Sequence, residues 1–130
     1  MKAILQKEFG GPEVLEVSNN VEMPKIDKDE VLIKVHAAGI NRPDILQRSG
    51  GYPPPPGASK ILGLEVSGEI VDVGEDTNKN LLNTKVCALV PGGGYAEFVK
   101  CHTSTILPIP KGISITDACT IPENFFTVWT

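Results

Sequence analysis

Apolar and polar residues alternate along the stretch 30–38, with Val31, Ile33, Val35 and Ala37 on one face and Leu32, Lys34 and His36 on the other. Successive side chains of an extended chain point to opposite sides, so this period of two predicts a half-buried strand. A second strand is predicted over 64–73, where Val66, Ile70, Val71 and Val73 carry the apolar signal and Gly68 interrupts it. Glycine inside a strand points to a bulge or to close approach of another backbone. Shorter strands over 3–5 and 14–17 are separated by Gly10-Gly11-Pro12, and strands over 85–90 and 95–100 flank the turn Pro91-Gly92-Gly93-Gly94. Many short strands punctuated by Gly and Pro predict a mainly β barrel or sandwich.

Helical signals are few. A short helix is predicted over 41–48, with Asn41 at its N-cap, Pro43 and Asp44 in its first turn and Gly50-Gly51 beyond its end. Thr116-Asp117 is read as the cap of a second helix over Ala118 and Cys119, and a third opens over 123–130. Phe125, Phe126, Val128 and Trp129 give that last segment an apolar character. Chain ends are usually polar, so a covering surface is expected over it.

The length of 130 residues fits one domain with its own core. Aromatic residues are 5% of the chain, so Val, Ile, Leu and Ala must fill most of that core. A net charge of -4 argues against nucleic acid or an anionic membrane as partner. Cys87, Cys101 and Cys119 are widely spaced, and adjacent Cys101 and His102 would point to opposite faces of a strand. Free thiols in a reducing compartment follow, not a metal site. With no signal-peptide core and no apolar run of spanning length, the expected location is cytoplasmic.

Three stretches carry more specific information. They are Asn41-Arg42-Pro43-Asp44 running on through Gly51-Tyr52-Pro53-Pro54-Pro55-Pro56-Gly57-Ala58-Ser59, then Ile61-Leu62-Gly63-Leu64-Glu65-Val66-Ser67-Gly68, and Asp117-Ala118 through Ile121-Pro122-Glu123 to Thr127. In this order, over essentially the whole chain, the sequence resembles the medium-chain dehydrogenase/reductase superfamily in its zinc-free, zeta-crystallin-like quinone oxidoreductase branch. The resemblance implies a GroES-like, partly open β-barrel with a few short helices over 1–121. It makes 122–130 the start of a helix leading to a dinucleotide-binding domain that this chain lacks. It further implies NADPH-dependent reduction of quinone-type small molecules, NADPH held mainly by the other domain, and a homodimer for the full-length protein. This chain alone would be inactive.

Zinc-dependent members of the superfamily carry Cys at the position of Asn41 and Gly-His-Glu at Gly63-Leu64-Glu65. Leu64 offers no lone pair and an amide is a poor zinc ligand, so no metal is expected. A structural hydrogen bond is the expected role of Glu65. The resemblance places Asn41 and Tyr52 at the catalytic and cofactor-binding positions, and Thr127 near the cofactor's carboxamide. The simpler readings are a helix cap for Asn41, a surface aromatic for Tyr52 and a half-buried helix residue for Thr127. Asp44 and Arg42 are read as a first-turn carboxylate favouring the helix dipole and a solvated guanidinium. Gly92-Gly93-Gly94 and 63–68 are turn or strand features, because the first links strands and the second has Glu69 where a phosphate loop needs Lys. His36 and His102 have no partnered nucleophile in the sequence. Two other readings are a GroES-like interaction module and a zinc-dependent alcohol dehydrogenase with divergent ligands.

Overall fold

The computed structural model describes residues 1–129. Strands β1 (Ala3–Gln6) and β2 (Leu15–Ser18) form an antiparallel ribbon. Strands β3 (Glu30–Ala38), β4 (Glu65–Val73), β5 (Lys85–Leu89), β6 (Phe98–His102) and β7 (Ile106–Pro108) form a five-stranded antiparallel sheet in the order β6-β3-β4-β5-β7. Helices α1 (Arg42–Arg48), α2 (Ile115–Ala118) and α3 (Ile121–Trp129) lie in the connections.

The order of strands dictates the shape. Strands β6 and β7 are the two edges of the sheet, yet only the 3₁₀ turn Thr103–Thr105 joins them. Edges of a flat five-stranded sheet lie about 19 Å apart at ~4.8 Å per strand, whereas this link reaches about 14 Å at full extension. The sheet must therefore curl, and it does so as a partly open barrel. Its wall continues into the ribbon through the bridge between Ala3 and Ala96, where Ile4 N donates to Tyr95 O at 2.9 Å and Glu97 N to Lys2 O at 3.0 Å.

Inside the curl sit Val31, Ile33, Val66, Ile70, Val86, Ala88, Val90, Val99 and Cys101. Val31 and Ile33 occupy the face that their alternation assigned to the interior. Gly68 meets both expectations attached to it. The β3–β4 register shifts between Val35 and Ala37, opposite Gly68, and a side chain there would lie 2.1 Å from the Lys34 carbonyl. Irregularities of this kind bend and twist a strand, which helps the sheet close. All three cysteines are buried free thiols. Burial pushes Cys101 up to about 12 and raises Cys87 and Cys119 as well, so none is a ready nucleophile.

Several boundaries differ from expectation for identifiable reasons. Strand β6 starts at Phe98 and not at 95, because Tyr95 and Ala96 bond to the turn before β4 and to β1. Strand β7 was not foreseen; it is three residues long and ends in Pro108, which the sheet edge tolerates. The cap of α2 is Ser114, whose hydroxyl accepts from Asp117 N at 3.0 Å. Helix α3 starts at Ile121, two residues before the expected Glu123.

Gly68→Ala should cost about 1–3 kcal/mol, the usual range for overpacking a tight interior. Urea unfolding followed by circular dichroism measures it, and an unchanged midpoint would remove the close-approach argument.

Candidate functional site

Two carboxylates are buried where α1, the start of β4, the start of α3 and the segment before β6 meet: Asp44 at 3% exposure and Glu65 at 1%. Among the described residues neither belongs to an ion pair. Buried charge without a counterion must be satisfied by hydrogen bonds, and here it is. Asp44 accepts from Asn41 N at 2.8 Å, from Gly63 N at 3.1 Å and from the Tyr95 hydroxyl at 2.9 Å. Glu65 accepts from Asn41 Nδ2 and from Glu123 N, both at 2.8 Å.

Local sequence explains each placement. Asn41 has the extended backbone of an N-cap, at φ -125° and ψ 161°, and Pro43 starts the helix behind it. Asp44 reaches back to the Asn41 N–H, so the carboxylate closes the first turn as expected. The Asn41 amide does something the capping reading missed: its Nδ2 is committed to Glu65. Gly39 makes room for this arrangement, since a side chain there would lie 2.0 Å from Glu65 Oε1. The N-terminus of α3 points its Glu123 N–H at Glu65, where the positive end of the helix dipole meets a carboxylate.

Electrostatic consequences follow from the crowding of acids. Burial first, and then the Asp44 charge and hydrogen bond, push Tyr95 well above the ordinary phenol range. Burial, followed by the nearby Glu65 and Asp44 charges, raises the Glu123 carboxyl above its ordinary value.

Thr127 lies one turn beyond Glu123 on α3, exposed, and its hydroxyl donates to Glu123 O at 2.6 Å. Toward a further group it can act only as an acceptor. Asn41 and Thr127 are therefore tied to one structural unit through Glu65 and α3. Tyr52 is elsewhere: 45% exposed, it lines a separate groove with Phe9, Gln47 and Lys60. Arg42 is exposed. Leu64 is half-buried beside Glu65 in the chain, and no group of three or more His, Cys, Asp or Glu among the described residues is placed to hold a metal. His36 bonds Thr116 and His102 bonds Ser104 and Asp29, all at the surface. No described helix is long and apolar enough to cross a membrane.

The glycine-rich turns are occupied by the fold. A side chain on Gly63, at φ +101°, would stand 2.7 Å from Gly94 Cα, and one on Gly92 2.7 Å from Ser59 O. These backbones pack on one another and leave no cradle for a pyrophosphate. Apolar side chains in the second half of α3 are open to solvent, with Phe125 at 64%, Val128 at 86% and Trp129 at 91% exposure.

A curled antiparallel sheet with two buried carboxylates at the junction of two short helices defines a partly open β-barrel domain. The chain belongs to the alcohol dehydrogenase GroES-like domain family, whose model matches residues 27–111. It is 37% identical over 128 residues to quinone oxidoreductase of Mus musculus, covering 98% of this chain and 39% of that protein. Among solved structures it is similar to the human synaptic vesicle membrane protein VAT-1 homolog-like protein, with TM-score 0.90 and 29% identity over 99% of this chain and 41% of that one. The quinone oxidoreductase of Thermus thermophilus, whose structures include a complex with NADPH, matches with TM-score 0.76 and 32% identity over 99% of this chain and 39% of that one. The chain spans about two fifths of the length of the curated quinone oxidoreductases it matches.

Glu65→Gln should destabilise the chain by about 1–3 kcal/mol, because an amide supplies one acceptor oxygen where two donors converge. Chemical denaturation checks this, and a variant as stable as the parent would show that the two bonds do not matter. A pH effect follows from Glu123. Its folded value is raised, so the folded chain holds this proton more tightly than the unfolded chain. That contribution is complete below the ordinary carboxyl value and is lost as pH rises through the folded value. Melting temperatures between about pH 4 and pH 7 should therefore shift in favour of Glu123→Gln as pH increases; a constant offset would contradict the assignment.

Proposed function

We propose that this chain is the acceptor-side domain of an NADPH-dependent quinone oxidoreductase that works without zinc. The observation that carries the reading is the pairing of the Asn41 amide with buried Glu65 beside Leu64. Relatives at 32–37% identity that bear the name quinone oxidoreductase support it. In the alternative, zinc-dependent chemistry, a thiolate and an imidazole would stand at positions 41 and 64. An amide and an alkyl group cannot replace them as ligands.

When bound, NADPH supplies reducing equivalents from its nicotinamide. The chain's own residues orient and enclose. Glu65 fixes the orientation of the Asn41 amide, which positions a polar group in the cleft through its remaining hydrogen-bonding capacity. Thr127, its hydroxyl hydrogen engaged by Glu123, accepts from a carboxamide in the same manner. No Lewis acid is required for an acceptor whose carbonyls are already conjugated and electron-poor. Tyr52 offers an aromatic face to such a ring at the edge of the domain. The phosphates belong to a second domain, and the full-length protein is read as a cytoplasmic homodimer.

The full-length protein should consume NADPH at 340 nm with a quinone such as 1,4-benzoquinone, and elemental analysis should find no stoichiometric zinc. Asn41→Ala should lower kcat/KM about tenfold, equivalent to ~1.4 kcal/mol, the worth of one positioning hydrogen bond. The chain of 130 residues alone should give no micromolar NADPH binding by calorimetry. Absence of NADPH consumption with every quinone offered, or one tightly held zinc per chain, would falsify the proposal.

A further inference from the structure

The sequence leaves His102 without a partner nucleophile, but the fold supplies one and a carboxylate besides. Ser104 Oγ lies 2.7 Å from His102 Nδ1, and His102 Nε2 lies 3.0 Å from Asp29 Oδ2. Backbone bonds hold the three together. His102 is the register partner of Glu30 in the β3–β6 ladder, which brings Asp29 alongside, and Thr103 N donates to Asp29 O at 3.2 Å. Ser104 sits in the 3₁₀ turn Thr103–Thr105, whose N-cap is His102 itself. The cluster shares no residue with the Asn41–Glu65 centre.

The same turn fixes which ring nitrogen is the base. Ser104 N donates to His102 Nδ1 at 3.1 Å, and a ring nitrogen that accepts an N–H bond carries a lone pair, not a proton. In the neutral ring the proton therefore stands on Nε2, where it donates to Asp29 Oδ2. The Ser104 hydroxyl must then be the donor in its contact with Nδ1. Hydroxyl, imidazole and carboxylate are joined in the order that activates a serine: the ring takes the hydroxyl proton, and the carboxylate orients the ring and stabilises the imidazolium. The two nitrogens are exchanged relative to the usual arrangement, which leaves each role filled. Ser114 offers a contrast within the same chain. It is also exposed, but its hydroxyl donates to Asp117 Oδ2 at 2.7 Å, a carboxylate and not a ring.

The geometry points to Ser104 as a nucleophile toward carboxylic esters with an aryl leaving group, with His102 as its general base and Asp29 as a positioning residue. Ser104 Oγ adds to the ester carbonyl carbon as its proton passes to Nδ1. Collapse of the adduct breaks the bond to the aryl oxygen and leaves an acyl group on Ser104. Water, deprotonated at the same nitrogen, then releases the acid and restores the hydroxyl, so the sum is ester plus water giving acid plus phenol. Exposure sets the substrate class. His102 and Asp29 are 50% and 60% exposed, and charges so open to water assist weakly, which restricts the reaction to esters that part readily from their leaving group. A groove of about 760 Å³ bordered by Pro55, Phe98, His102 and Thr105 gives an aryl ester room beside the ring. No reducing equivalent enters, so this chemistry is independent of the redox reading.

The test is treatment of the chain with p-nitrophenyl acetate, followed by nitrophenolate release and by peptide mass spectrometry that maps the acetyl groups. Acetyl should reach Ser104 about a hundredfold faster than Ser114, the lower range of what a positioned general base contributes. His102→Gln should remove that advantage, and Ser104→Ala should reduce nitrophenolate release to the background from lysines. Asp29→Asn should slow Ser104 acetylation several-fold, and Asp29→Glu should restore most of the rate, since it keeps the carboxylate. The substituted side chains are exposed, and circular dichroism reports the folding of each variant. Equal acetylation of Ser104 and Ser114, parent rates in folded His102→Gln or Asp29→Asn, or undiminished nitrophenolate release from Ser104→Ala would each overturn the inference.

Discussion

Among the described residues, the interior of this domain contains two acids and no base to match them, and the arrangement of everything around the site follows from how those acids are satisfied. Asp44 and Glu65 draw their hydrogen bonds from Asn41, Gly63, Tyr95 and Glu123. These donors come from four separate places in the chain: the entry to α1, the turn before β4, the segment leading to β6 and the first turn of α3. A carboxylate removed from water costs several kcal/mol if it is left bare. Displacing any one of these segments therefore leaves an acid short of a partner, and the four move together or not at all. Packing of the Val- and Ile-rich core holds the curled sheet, but the acids decide where the helices and turns attach to it.

Much of this fold could be read from the residues because its signal is local. The 30–38 alternation maps onto β3 without a shift at either end, and Gly68 marked a bulge that is present in the β3–β4 ladder. Strand β7 could not be read in the same way: Ile106, Leu107 and Pro108 form a strand only because β5 is there to pair with them. Tyr95 was misread for a related reason. Its residue type suits a strand, but its backbone is claimed by Leu62 and Ile4 and its hydroxyl by Asp44.

The site was half legible. Asn41 as a helix cap and Glu65 as a structural hydrogen-bonding group were both available from sequence, whereas the bond joining them was not. A signal existed, since an acid flanked by Leu64 and Val66 at the head of an interior strand must find donors somewhere. Nothing local says that one of them would be an asparagine 24 residues earlier and another the N-terminus of α3. Tyr52 shows the opposite limit. Its setting among glycines and prolines fits a cleft wall, but only the folded chain reveals that its neighbours are Phe9 and Gln47.

Glu65 also bears on why a glutamate stands after Leu64 when the histidine of zinc-dependent relatives does not. An idle buried acid is a steep cost, so a carboxylate at this position needs donors of its own. Both of its oxygens are engaged, one by the Asn41 amide and one by the α3 backbone, and Gly39 is kept bare to admit it. The acid thus has a structural duty independent of any ion. That same duty sets the separation between Asn41 and Thr127, since each is tied to Glu65, the first directly and the second through one turn of helix. A change in the distance between those two side chains would require α3 to release its first-turn N–H from Glu65.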